Sequence, residues 1–265
     1  AHPPPAPYPL ASARGNSSVG PVGLRQSTSV AMREGVGMLR ALLGGAEWEF
    51  PGGVRSRLRD PGPESPGSPG SPGSPGIPLH LAASGPKNLR LAGEIADGVI
   101  LLSGVSPRTL AQATARVREG AAGRAARLPL TVSAFCAVTD DVEAEARQLK
   151  PICASIAQNG GAPFLALAGI DVHVPEKVGG VYPDLVHAED WEAAVRICSS
   201  WISDENALRF AEEFCLFGTA DDIAGRLRAL PASGVTGVFL QHVGSYDPPT
   251  ELIEAVGSAV LPQLN

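Results

Sequence analysis

One Ser-Gly pair, Ser84-Gly85, stands directly after a short apolar run and just before a helical pattern. A seryl hydroxyl donates a hydrogen bond, glycine lets an anion approach the main chain, and the first turn of a helix offers unpaired N–H groups. Residue types in that order suit a phosphate. Gln241 and His242 close the last apolar run, where either side chain could bond a ligand, although a histidine at a strand end is more often structural or solvated. His80 shares a strand face with Ser84 by alternation and needs a buried partner if that face points inward.

The remaining polar groups read more simply. Glu94 and Asp97, three residues apart on a helical pattern, suit a solvated edge and a helix end rather than a catalytic pair. Asp221 and Asp222 fall in a first helical turn, where negative charge complements the dipole. The segment "VYPDLVHAEDWEAAV", with His187, Glu189 and Asp190, reads as a structural helix pair, with a lid over the site as the alternative. No G-x-S-x-G elbow, P-loop, H-E-x-x-H or G-x-G-x-x-G occurs, which argues against hydrolase, NTPase, zincin and Rossmann readings.

The elements that must position these groups follow from periodicity. In "LHLAASGPKNLRLAGEIADGVILLSG", Leu89, Leu91, Ala92, Ile95 and Ala96 recur at helical spacing between apolar runs at 77–83 and 99–102, with Gly98 ending the helix. Strand, tight turn, helix and strand make a parallel βαβ unit. Further strands are predicted at 130–138 and 235–243. Helices are predicted at 27–45 with Val30, Val36, Leu39, Leu42 and Leu43 apolar, at 107–123 after the Ser106 cap, after Thr139 as cap, at 220–230 after Thr219, and at 249–261 with Leu252, Ile253, Val256 and Val260 on one side. "AEWEFPGGV" suggests a hairpin. Four βα units suit half of a (β/α)8 barrel, and an open doubly wound sheet fits the periodicity equally well.

Composition bounds the class. The 265 residues are 44% hydrophobic, and 21 basic against 27 acidic residues give a net charge of −6 without long runs of either sign, so neither nucleic acid nor an anionic membrane is the expected partner. A small-molecule substrate is, with homo-oligomer formation as a further expectation. Cys136, Cys153, Cys198 and Cys215 are widely spaced and read as buried free thiols, with no metal site. No apolar run is long enough for a membrane helix, and the first residues lack the basic start and apolar centre of a signal peptide, so a cytoplasmic location is expected.

Three stretches in order, "ARGNSSVGPVG", "AASGPKNLRLAGEIADGVIL" and "FGTADDIAGRLRALPASGVTGVFLQ", resemble the luciferase-like monooxygenase superfamily, particularly its branch related to methylenetetrahydromethanopterin reductase. The resemblance implies an α/β fold of the TIM (β/α)8 class, here a partial barrel holding about the last four βα units. It implies an oxidoreductase using FMN, or alternatively the 5-deazaflavin coenzyme F-420, at the C-terminal ends of the strands. Carried over by position, Ser84, Gly85, Ser103 and Gly104 would hold the phosphate or ribityl side, joined by Gly15, Asn16 and Ser17 from the first stretch. Asn16 replaces an acidic residue, Ala13 a glycine, and Val105 stands where deazaflavin-using relatives often carry lysine.

The resemblance also places a first half of the barrel ahead of Ala13, and proline-rich residues 1–10 are not expected to supply a strand. The expected organisation is one partial-barrel domain over 1–265, with a Ser-Pro-Gly loop at 60–78 and a helical insertion at 160–217. The alternative to an enzyme is a catalytically inactive partial barrel that serves as a binding or oligomerising module or persists as a remnant.

Overall fold

The computed structural model describes residues 9–15, 23–59, 77–124, 128–244 and 248–264. Asn16, Ser17 and residues 60–76 of the Ser-Pro-Gly loop lie outside them.

Six strands form one sheet. In it β1 (Leu10–Ser12), β4 (Leu79–Ala83), β5 (Gly98–Leu101) and β6 (Leu130–Val138) lie side by side, and β6 then pairs with both β7 (Leu216–Gly218) and β8 (Gly237–Gln241). Every pairing in this sheet is parallel. A separate antiparallel hairpin, β2 (Trp48–Phe50) with β3 (Val54–Ser56), agrees with the reading of "AEWEFPGGV". The four predicted strands are all present. The proline-rich start differs from expectation: beyond Pro9 the chain is free to donate, Leu10 N bonds the Pro78 carbonyl at 2.9 Å, and Leu10–Ser12 adds a short parallel strand.

Crossovers between parallel strands require helices, and these carry the core on one face of the sheet. Leu81, Ala83, Val99, Leu101, Leu130, Val132, Ala134 and Cys136 point to that face and are buried. In register on the opposite face stand His80, Ala82, Ile100, Thr131, Ser133 and Phe135, all only half-buried. Phe239, paired with Ser133, is 58% exposed there.

Of the helices, α1 (Ser29–Leu43) is capped by Thr28, whose Oγ1 accepts from Ala31 N at 3.1 Å. It buries Met32 and Val36, whereas Val30, expected on the apolar side, is 64% exposed. Two ion pairs hold α1 to the next helix, α2 (Pro86–Ile95), and the turn after it: Arg33 grips both oxygens of Glu94, and Arg40 meets Asp97 at 2.5 Å. Asp97 also accepts from Leu79 N at 3.0 Å. The predicted stop at Gly98 is corrected, because α2 ends at Ile95 and Gly98 opens β5. There it lies against the His80 imidazole, which any Cβ at that position would overlap.

Helix α3 (Pro107–Ala121) starts after Ser106, as expected, with Ser106 Oγ accepting from Thr109 N. It crosses α2 at backbone contact: a Cβ on Gly93 would overlap the Val117 carbonyl, and one on Gly120 the Arg90 carbonyl. Helix α4 (Val142–Ala146) is capped by Asp141 rather than Thr139. Thr139 Oγ1 accepts from Asp141 N at 3.0 Å instead and shapes the approach to that cap.

Helices α5 (Lys150–Ile156), α6 (Ala162–Leu167), α7 (Trp191–Cys198) and α8 (Asp204–Phe214) follow. The buried Lys150 ammonium joins three of them, meeting Asp204 of α8 at 2.5 Å and donating to Ser199, the C-cap of α7, at 2.9 Å. Arg147 supports the same carboxylate at 3.0 Å. Next, α9 (Ala220–Ala229) begins with the capping box of Thr219 and Asp222 that the sequence predicts. The last helix, α10 (Thr250–Ala255), continues in irregular turns to 264. It buries Val256 and Val260 but leaves Ile253 exposed, since the wider turn after Ala255 rotates the apolar stripe.

The helix crossing gives a direct test. Gly93→Ala forces two backbones apart and should cost about 1–3 kcal/mol in urea denaturation. Gly225 of α9 faces open space. Gly225→Ala should instead stabilise by about 0.5–1 kcal/mol through helix propensity.

Candidate functional site

All strands of the parallel sheet end at one rim, where both Ser-Gly pairs, Gln241 and His242 lie, whereas His80, Glu94 and Asp97 lie at the opposite edge. Ser84 follows β4 and is half-buried, and Gly85, at φ 70°, turns the chain into α2. Ser103 follows β5, is 0% exposed, and its Oγ has no hydrogen-bond partner. Gly104 takes φ 97° and Gly15, after β1, φ 79°. Positive φ is open to glycine at little cost, so both Ser-Gly turns hold a conformation that other residues resist.

The space beside these glycines is filled by protein. A Cβ on Gly85 would lie 2.6 Å from the Gly160 carbonyl oxygen, and one on Gly104 2.8 Å from Thr109 Oγ1. The amides of Val105 and Ser106 both donate to the Glu213 carbonyl at 3.0 Å. Small size at Gly85 and Gly104 therefore serves the turns, and the two serine hydroxyls remain as the side-chain donors. A cation stands nearby. Arg14 donates to the Ser27 carbonyl at 2.6 Å and to Asn88 in the first turn of α2 at 3.3 Å. It lies inside "ARGNSSVGPVG", where the dominant sequence signal is the run of glycine and serine and not the single charge.

Further along the rim, β6 and β8 open onto two cavities. One of about 610 Å³ lies between the end of β6, Phe217 and α10, with Thr139, Glu145 and His242 among its walls. The other, about 370 Å³, is walled by Phe135, Phe239, Gln241 and His242 at the end of the sheet and by Val186, His187, Ala188 and Trp191 from the segment at 186–191. His242 borders both. The segment read as a helix pair is corrected by this geometry: residues 181–190 form no helix, Asp190 caps α7, and the stretch walls the rim. Tyr182–Pro183 is a cis bond within it. Sequence reasoning missed Trp191, Phe135 and Phe239, since aromatic residues in such positions read as ordinary core.

The other candidates have structural partners. Arg33 holds the Glu94 carboxyl below its ordinary pKa through their hydrogen bond, and Thr219 does the same for Asp222. Asp221 accepts from Gln263 at 2.8 Å. His187 lies 3.1 Å from Asp184. His80 sits on Gly98, and burial lowers its pKa despite the opposing charge of Asp97, so it is neutral at pH 7. The four cysteines are free and buried, as expected. Burial pushes Cys136 and Cys198 up to about 11 and Cys153 to about 12, with Cys215 well above the ordinary range, so none is a thiolate nucleophile at neutral pH. Among the described residues no group of three or more His, Cys, Asp or Glu side chains is placed to hold a metal ion, and no helix is long and apolar enough to cross a membrane.

Comparison with known proteins adds to this geometry. The profile of a family described as luciferase-like monooxygenase matches residues 26–237. The 5,10-methylenetetrahydromethanopterin reductase of Methanopyrus kandleri is 30% identical over 192 residues, which are 70% of this chain and 50% of that protein. Its counterpart in Archaeoglobus fulgidus is 27% identical over 193 residues, 71% of this chain and 54% of that protein. The chain spans about half the length of the curated relatives it matches. Among solved structures, coenzyme F-420 dependent tetrahydromethanopterin reductase from Methanopyrus kandleri superposes with a TM-score of 0.63 at 23% identity, covering 97% of this chain and 74% of that one. An F-420-dependent secondary alcohol dehydrogenase does so with a TM-score of 0.62 at 15% identity, covering 97% and 69%. The fold is accordingly α/β, a partial (β/α)8 barrel.

The thiols make a prediction. Iodoacetamide at pH 8 should label none of the four cysteines in the folded chain and all four in urea. Thiols in the unfolded chain ionise near pH 8.5, so the stability from keeping them neutral is present below that pH and is lost as pH rises toward 11–12. Rapid labelling of a native cysteine at pH 8 would contradict the burial described.

Proposed function

The chain belongs to the luciferase-like monooxygenase family, and from that membership we propose that it is an oxidoreductase binding FMN or a 5-deazaflavin at the C-terminal rim and acting on a small organic substrate. The observation that carries this reading is Ser103, a fully buried hydroxyl without a partner at the rim of a parallel sheet. An unsatisfied buried hydroxyl is costly, and an incoming oxyanion would satisfy it. The likeness to two F-420-dependent enzymes favours the deazaflavin. Val105, buried where such relatives often have lysine, removes one phosphate contact, and Arg14 beside the first turn of α2 offers a replacement charge.

In this reading Ser84 and Ser103 donate to the phosphate, Arg14 neutralises it, and Gly85, Gly104 and Gly15 hold the turns that bring these groups to the rim. Asn16 and Ser17 belong to the same set. When bound, the cofactor supplies hydride or, as reduced flavin, electrons for oxygen activation. The chain's own work is to anchor the polar tail, present the half-buried face of the sheet to the ring, and exclude water with the segment at 181–191. One partial-barrel domain, with a loop at 60–78 and a helical insertion at 160–217, goes with this reading, as does a cytoplasmic setting and, as a further proposal, self-association.

Fluorescence titration with FMN, and separately with the deazaflavin coenzyme, tests it. Saturable binding is expected for one of the two. Ser84→Ala with Ser103→Ala should weaken that binding at least tenfold, because each lost bond to a charged group is worth about 1.5–3 kcal/mol. Ser103→Ala alone should leave the urea midpoint unchanged or higher, since it removes an orphaned polar atom. Unaltered affinity in the double variant would overturn the assignment.

A further inference from the structure

The cavity of about 370 Å³ is large enough for a small ligand, and beside the imidazoles of His187 and His242 its wall carries the donor side chains of Trp191 and Gln241. Trp191 presents Nε1, a donor only, which is buried and has no acceptor. Its ring is fixed by Gly244, where a Cβ would come within 2.8 Å of Cδ1. Gln241 is fixed as well, for its Oε1 accepts from Ser133 Oγ at 2.7 Å, the separation typical of an O–H···O bond. That bond turns the oxygen toward Ser133 and leaves the N–H donors on the other side of the amide. Two residues with donor side chains held in place therefore line one cavity.

The rest of the wall is apolar, from Phe135, Ile152, Val186, Ala188 and Phe239. Phe239 is 58% exposed although it lies within a strand, so a ligand seated there would cover it. Among the described residues no lysine or arginine lines this cavity, and its imidazoles are His187, which already lies beside the Asp184 carboxylate, and His242. An anionic ligand would lose its hydration without gaining a lysine or arginine as partner.

We propose that this cavity is the substrate site and takes a neutral molecule with an apolar, preferably aromatic body and a carbonyl-type oxygen, received by Trp191 Nε1 and Gln241 Nε2. Ser133 acts as a positioning residue through Gln241. The assignment as substrate site rests on the oxidoreductase reading, whereas the ligand class rests on the cavity itself.

The test uses prodan, a neutral naphthyl ketone whose emission shifts to the blue in apolar surroundings, and 6-dimethylamino-2-naphthoate, its anionic counterpart, with the full chain. Prodan should bind one saturable site with blue-shifted emission, and the naphthoate at least tenfold more weakly. Gln241→Glu, which replaces the donor by an acceptor at constant shape, and Trp191→Phe, which keeps an aromatic ring, should each weaken prodan about five- to tenfold. Ser133→Ala should weaken it less, and should add nothing further in the Gln241→Glu background. Absence of prodan binding, equal or tighter binding of the naphthoate, or unchanged affinity in both Gln241→Glu and Trp191→Phe at native urea midpoints would overturn the proposal. Flavin titration of the same samples separates the two readings. Prodan binding without cofactor binding would sink the oxidoreductase reading, and with it the assignment as substrate site, while the ligand class stood; cofactor binding without prodan binding would sink this proposal alone.

Discussion

Backbone contact between α2 and α3 is the constraint from which the site follows. Gly93 and Gly120 let the two helices approach until each meets the other's carbonyls, a separation closed to any side chain. Both helices are thereby held close behind β4 and β5, and their first turns arrive at the same rim. Ser84-Gly85 and Ser103-Gly104 are the two connections into those turns. Their spacing is a property of the helix pair more than of the loops, which fits the way the loop glycines are packed against Gly160, Thr109 and Glu213.

A second consequence is the unequal treatment of the two sheet faces. Helices cover the face carrying Leu81, Val99 and Val132, while the face carrying His80, Ser133 and Phe239 is left half-buried or exposed. On that face the sequence places polar and aromatic residues rather than a continuous aliphatic layer. Residues 186–191 then supply a wall over one end of it, and a buried cation helps to hold the helix that follows. Lys150 joins Asp204 and Ser199, so the helix that begins with Trp191 is tied to the body of the fold. Replacing Asp204 would leave the buried Lys150 ammonium without its carboxylate, the costly case, whereas the exposed Asp204 would keep Arg147 if Lys150 were replaced.

Much of the architecture was legible in the sequence because parallel strands and amphipathic helices write simple periods. The strands after 77, 99, 130 and 235, the Ser106 and Thr219 caps, and the hairpin at Trp48 all follow from local residue chemistry. What was not legible depended on tertiary partners. Gly98 looks like a helix stop until the His80 ring is seen to occupy its Cβ position. Thr139 has the chemistry of a cap, but Asp141 is better placed. Leu10–Ser12 is too short to carry a period and exists because β4 offers it an edge. For the candidate site, the serines and glycines were visible as types, whereas the donor role of Gln241 and the isolation of Trp191 Nε1 are facts of geometry.

The central claim is that the orphaned Ser103 hydroxyl and its neighbour Ser84 receive a cofactor phosphate. Phosphorus NMR of FMN, or of the deazaflavin coenzyme, in the presence of the chain addresses that contact directly. The account predicts a broadened resonance displaced from that of the free cofactor, which moves back toward it in Ser103→Ala while the flavin ring stays bound. A bound cofactor whose phosphorus resonance is the same in the wild-type chain and in Ser103→Ala would contradict it.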